Sequence, residues 1–159
     1  MRNSKQKGFS LIELLIVVAI ILIIAAIAIP NLLRSKMAAN ESSAVASLRT
    51  LNTSIVSYST TYGTDPASIA VLGPIAAGGT PSSTLADMID NLLASGTKSG
   101  YTFTYTPGAA SAGVVTSYST IAVPLSSSTG QRQFYTDQSG VIRQTTDGST
   151  PTASSTPIG

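Results

Sequence analysis

The sequence predicts an α+β protein in which a long N-terminal helix, hydrophobic in its first half, packs on a four-stranded antiparallel sheet. Three observations carry that expectation. Residues 14–29 are sixteen consecutive apolar positions, LLIVVAIILIIAAIAI. Apolar residues then recur at alternating three- and four-residue steps as far as Tyr62. From residue 100 onward the period drops to two, the repeat of a half-exposed strand.

Composition narrows the chemistry before any motif is read. A chain of 159 residues suits one domain with an appendage. It has no Cys, which excludes disulfides, thiolate metal sites and cysteine nucleophiles. It has no His, which excludes Ser-His-Asp triads, histidine general bases and histidine metal sites. Charged residues make up 10% of the chain, against about 25% in typical soluble domains. Abundant Ser, Thr, Ala and Gly point to a structural or surface protein. No enzyme activity and no cofactor is expected.

The first element is the apolar segment. Counted back to Phe9 it is twenty-one residues long, interrupted only by Ser10 and Glu13. At helical rise it spans roughly 31 Å, about one bilayer core. The polar stretch MRNSKQKG before it holds Arg2, Lys5 and Lys7 and no acid. Such cations stay on the cytoplasmic side, so the expected topology is N-terminus in and the bulk of the chain out. A secretory signal peptide has a shorter apolar region and a small-residue cleavage site, and here Ile29-Pro30-Asn31 follows instead. A plain anchor explains the length but leaves Glu13 unexplained. A carboxylate inside a span costs roughly 2.5–3.5 kcal/mol near the centre and needs a partner.

The run Lys7-Gly8-Phe9-Ser10-Leu11-Ile12-Glu13-Leu14 resembles the N-terminal motif of the type IV prepilins. The resemblance covers roughly the first thirty residues, and beyond them it is architectural. It implies a leader of residues 1–8, cut between Gly8 and Phe9 by a membrane peptidase. It further implies N-methylation of the new N-terminal Phe9 and makes Glu13 the fifth mature residue. Pro30 matches the proline that family members carry about twenty-two residues into the mature chain. Glycine at the cut suits a protease that must approach the backbone closely. In an assembled filament, Glu13 of one subunit would pair with the Phe9 ammonium of its neighbour, fixing one axial stagger.

Pro30 should kink or open the helix. Residues 9–30 are then the transmembrane and filament-core part, and residues 31–62 the amphipathic part under a globular head. The apolar face of that second part carries Leu33, Met37, Ala44, Leu48, Leu51, Ile55, Tyr58 and Tyr62, with Glu41 taking the remaining slot. The opposite face carries Arg34, Ser35, Asn40, Ser42, Ser43, Arg49 and Asn52. Gly63 and Pro66 end the helix.

Residues 63–99 read as a loop with one short helix, opened by a capping-box-like Thr84-Leu85-Ala86-Asp87 and closed by Gly96. Strands follow at 101–105, 114–123, 133–136 and 141–143 within a sheet of residues 100–147. Short connections imply an antiparallel meander. Residues 148–159, rich in Ser, Thr and Pro, form an expected flexible tail. Many pilins close their C-terminal loop with a disulfide. Without Cys, this tail is pinned by packing, pinned by subunit contacts, or mobile.

Other constellations carry less. Asp137 and Asp147 stand where secretion pseudopilins bind calcium, but two acids fall short of the six to eight oxygens that ion takes, and turn roles explain them. Asp87 and Asp90 are three apart, and Asp87 is accounted for as a cap. The sheet aromatics Tyr101, Phe103 and Tyr105 have only Lys98 and Arg132 for basic company, too few for a nucleic-acid platform. Two sequons, at Asn40 and Asn52, fall on the helix.

The favoured function is therefore a pilin. It is stored in the inner membrane, processed by a prepilin peptidase and methyltransferase, and polymerised as a homo-oligomer by inner-membrane machinery into a filament for adhesion, motility or DNA uptake. One alternative is the periplasmic pseudopilin of a type II secretion system. Another is a membrane-tethered binding domain that never polymerises. Three of the nine basic residues lie in the leader, so its removal leaves six against seven acidic residues. The net charge of +2 becomes −1, and the basic character is no evidence for nucleic-acid affinity.

Overall fold

The computed structural model describes residues 8–158. Of the expected leader, residues 1–7 lie outside the described residues. The chain divides into two units, Met1–Ser35 and Lys36–Gly159. Helix α1, Leu11–Tyr62, contributes residues to both.

Over residues 14–29, in the first unit, the helix is apolar around its whole circumference. Ile12, Leu22 and Ile27 are each more than 60% exposed. This segment is long and apolar enough to cross a membrane, and none of its most apolar window is buried. Pro30 lies inside α1, and the residues on both sides of it are helical.

The second unit holds the core. Ala44, Leu48, Leu51, Ile55 and Tyr58 form the buried face of α1, at the three- and four-residue spacing expected. Leu33, assigned to the same face, is 47% exposed and belongs to the other unit. Gly63, at φ 76°, ends the helix in the left-handed conformation, and its N–H bonds Ser59 O at 2.8 Å.

The sheet has six strands, not four: β1 Thr97–Lys98, β2 Tyr101–Pro107, β3 Tyr118–Pro124, β4 Gln133–Asp137, β5 Arg143–Thr145 and β6 Thr156–Pro157. They run in sequence order, each antiparallel to the next. The two additional strands are two residues each, too short for any period to register. Register stacks Phe103 beside Ala122 and Ala122 beside Phe134, so a small residue sits between two rings on the core face. Tyr101 and Phe134 are fully buried, with ring centroids 5.9 Å apart. The sheet side chains and the helix face form one hydrophobic cluster.

Three local expectations change. The second strand begins at Tyr118 rather than 114, because Ser111 and Val114 close a tight turn through Ala112 (φ 51°) and Gly113 (φ 82°). The short helix is α2, Asn91–Ala94, and Asp90 caps it rather than Thr84. Asp87 is not helical at all: its φ is 55°. A 3-10 turn, Ile69–Leu72, occupies part of the stretch read as loop, and it buries Ile69 and Leu72. In the tail, Pro151 is fully buried, and β6 pairs with β5 through Arg143–Pro157 and Gln144–Thr156. The Arg143 guanidinium also donates to Ser155 O at 3.0 Å.

Candidate processing and assembly site

The residues singled out at the N-terminus lie at the head of α1. Gly8 has open space where a Cβ would stand. Phe9 is 76% exposed. Ser10 accepts the first helical hydrogen bond, from Leu14 N at 3.2 Å, and its own N–H donates to Glu13 Oε2 at 2.9 Å. Ser10-Leu11-Ile12-Glu13 is thus the reciprocal half of a capping box, with Glu13 reaching back to satisfy an orphan donor. The sequence held this signal, Ser followed three residues later by Glu before an apolar run, and it was missed. The acid also suits the positive end of the helix dipole. The Glu13 carboxylate keeps one oxygen without a partner among the described residues.

A second charged node sits in the head. Glu41 is 8% exposed on the core face of α1. Its Oε1 accepts the backbone N–H groups of Gln131 (2.9 Å) and Arg132 (3.2 Å), and its Oε2 accepts Arg132 Nε at 2.7 Å. Arg132 also donates to Gln144 Oε1 at 3.0 Å and lies 5.5 Å over the Phe134 ring. Burial pushes the Glu41 carboxyl up, but these donated hydrogen bonds and the Arg132 charge outweigh it and hold the group below the ordinary range. The charge in an otherwise apolar stripe was the available signal, since a buried carboxylate requires a partner.

Two asparagines assigned to the polar face are structural. Asn40 Nδ2 donates to Thr129 O, and Asn52 Nδ2 donates to Thr136 Oγ1, each at 2.9 Å. The amides of both sequons are thereby engaged within the head. Asp137 and Asp147 each take part in a turn. Asp137 Oδ1 accepts from the Ser139 N–H and hydroxyl, and Asp147 Oδ1 does the same with Ser149. Among the described residues no three His, Cys, Asp or Glu side chains cluster as metal ligands would. Asp90 caps α2 through Leu93 N at 3.1 Å and pairs with Lys98 at 2.7 Å. The Lys98 ammonium lowers its carboxyl. Tyr101 is core: burial first, and the Glu41 charge second, push its phenol up to about 12.

A methylation-type N-terminus heading a long apolar helix, followed by an antiparallel sheet, defines the class: a pilin-like α+β protein. The family model described as the prokaryotic N-terminal methylation motif matches residues 3–29. The chain is 48% identical over 56 residues to the type IV major pilin protein PilA of Myxococcus xanthus, covering 35% of this chain and 26% of that protein. It is 63% identical over 41 residues to the type IV wide pilus major component PilA4 of Thermus thermophilus, covering 26% of this chain and 30% of that protein. The matched segments span less than a third of either relative's length. Motif, relatives and fold together support a type IV pilin.

Proposed function

We propose that this chain is the structural subunit of a type IV pilus, stored in the inner membrane with its N-terminus cytoplasmic and polymerised after its leader is removed. The observation that carries the reading is the Gly8-Phe9-Ser10-Glu13 constellation at the head of an exposed apolar helix. A prepilin peptidase cuts between Gly8 and Phe9, and Phe9 is N-methylated. Arg2, Lys5 and Lys7, which hold the N-terminus on the cytoplasmic side, leave with the leader.

Assembly then moves the exposed Leu and Ile side chains of the first unit from lipid onto equivalent helices of other copies. Lipid is as apolar as Leu, so close packing and the pairing of polar groups, rather than removal from water, favour the contact. The Ser10 N–H occupies one oxygen of Glu13, and the Phe9 ammonium of a neighbour takes the other. An unpaired carboxylate in that apolar core is costly, so only the stagger that forms the pair is populated. Pro30 removes one backbone donor and lets the helix bend or open locally. The filament is a helical homo-oligomer built by inner-membrane machinery, exposed at the cell surface and used for adhesion, motility or DNA uptake.

Glu13→Ala tests the pairing. The variant is expected to be processed and to accumulate in the membrane while sheared surface filaments are lost. Filaments of normal yield and regularity from Glu13→Ala would sink it.

A further inference from the structure

We infer that Arg49 and Asp87 form a lateral contact between copies of this chain, the pocket beside Arg49 in one head receiving the Asp87 turn of the next. The inference rests on the filament reading and adds to it a defined contact between heads.

The socket is a cavity of about 240 Å³ lined by Arg49, Gly140, Val141, Ile142 and Ile158. Arg49 is exposed, and its guanidinium has no ion-pair partner among the described residues. The other cations of the sheet region are engaged: Lys98 with Asp90, Arg132 with Glu41, and Arg143 with Ser155 O. A guanidinium beside Val141 and Ile142 suits a carboxylate carried on a partly apolar turn.

The plug is the turn at Asp87. Its backbone is fixed: Asp87 N bonds Gly73 O at 3.0 Å, and Met88 N bonds Leu72 O at 2.8 Å. Asp87 adopts φ 55°, is exposed, and has no ion-pair partner among the described residues. Leu92, on α2 just beyond, is 63% exposed and supplies apolar surface to match the pocket. The contact therefore joins an unpaired cation to an unpaired, pre-positioned acid.

The two features lie on opposite flanks of α1. On one flank Asn52 reaches Gly140 O at 3.5 Å, and on the other Ser54 reaches Met88 O at 3.3 Å. Residues two apart in a helix point roughly 160° away from each other. One head therefore cannot satisfy both halves itself. A contact joining opposite flanks is heterologous and propagates from copy to copy, as a filament requires.

The chain contains no Cys, which makes the test direct. In filaments of the Arg49→Cys/Asp87→Cys double variant, mild oxidation is expected to produce a ladder of covalent multimers, and each single variant none. Independently, Arg49→Asp and Asp87→Arg should each lower the yield of sheared filaments roughly tenfold at unchanged membrane levels, and the swapped double variant should recover to within about twofold. Filaments of the double-cysteine variant that give no ladder, single reversals that assemble normally, or losses that the swap does not rescue overturn the contact. A wild-type chain that forms no filament overturns the filament reading and the contact with it.

Discussion

Glu41 stands where the periodicity of α1 asks for a hydrophobic side chain, and Arg132, ninety-one residues away, is what makes it tolerable. Removing the carboxylate orphans two backbone N–H groups and a guanidinium. Glu41→Ala is accordingly expected to destabilise the full chain by about 2–3 kcal/mol, seen as a fall in Tm in detergent. The sign with pH follows from its lowered pKa. A carboxyl whose folded value lies below its unfolded value contributes fully above the unfolded value, near 4.3. That contribution is lost as pH falls through the folded value. Melting of the wild type should thus show a drop in Tm on acidification below about pH 4 that is smaller in Glu41→Gln. An equal drop in both would separate the acid sensitivity from this residue. Glu41 was legible as an anomaly in the apolar stripe. Its partner was not, because sequence separation gives no clue to which loop folds over the helix.

At the scale of elements, what the sequence revealed tracked the length and strength of each period. The helix end at Gly63 was readable from local chemistry alone, since a left-handed residue there is served best by glycine. The long strand β2 was readable from alternation, and β3 in part, since Ser and Thr interleave with its apolar residues. Strands β1 and β6 were not, because two residues carry no alternation, and β6 sits in a segment whose composition argues for disorder. The cap of α2 went to Asp90 instead of Thr84 because the backbone of residues 86–89 is claimed by hydrogen bonds to residues 71–73. Asp90→Ala should cost about 1 kcal/mol through the lost cap, measured by denaturant titration. Gly130 is a sharper test of packing. A Cβ there would overlap the Tyr101 ring, displacing the hydroxyl that donates to Arg132 O at 2.9 Å. Gly130→Ala is expected to destabilise by roughly 1–3 kcal/mol, and a neutral result would mean that Tyr101 repacks freely.

For the whole molecule, one sequence serves two solvents in turn. Residues 14–29 are too apolar to remain exposed to water, whereas the head behind them is polar and low in charge. The N-terminal motif was legible because it is local, with Gly8, Phe9, Ser10 and Glu13 within six residues of one another, although the capping bond between Ser10 and Glu13 was not read from it. The lateral faces of the head were not legible, since Arg49 and Asp87 gain meaning only from the flanks on which the fold places them. A subunit cut after Gly8 is expected to polymerise through its apolar helix. Mass spectrometry of the subunit from sheared surface filaments tests it most directly. The expected result is a mature chain beginning at N-methylated Phe9, and filaments whose subunits still carry residues 1–8 would contradict this assembly route.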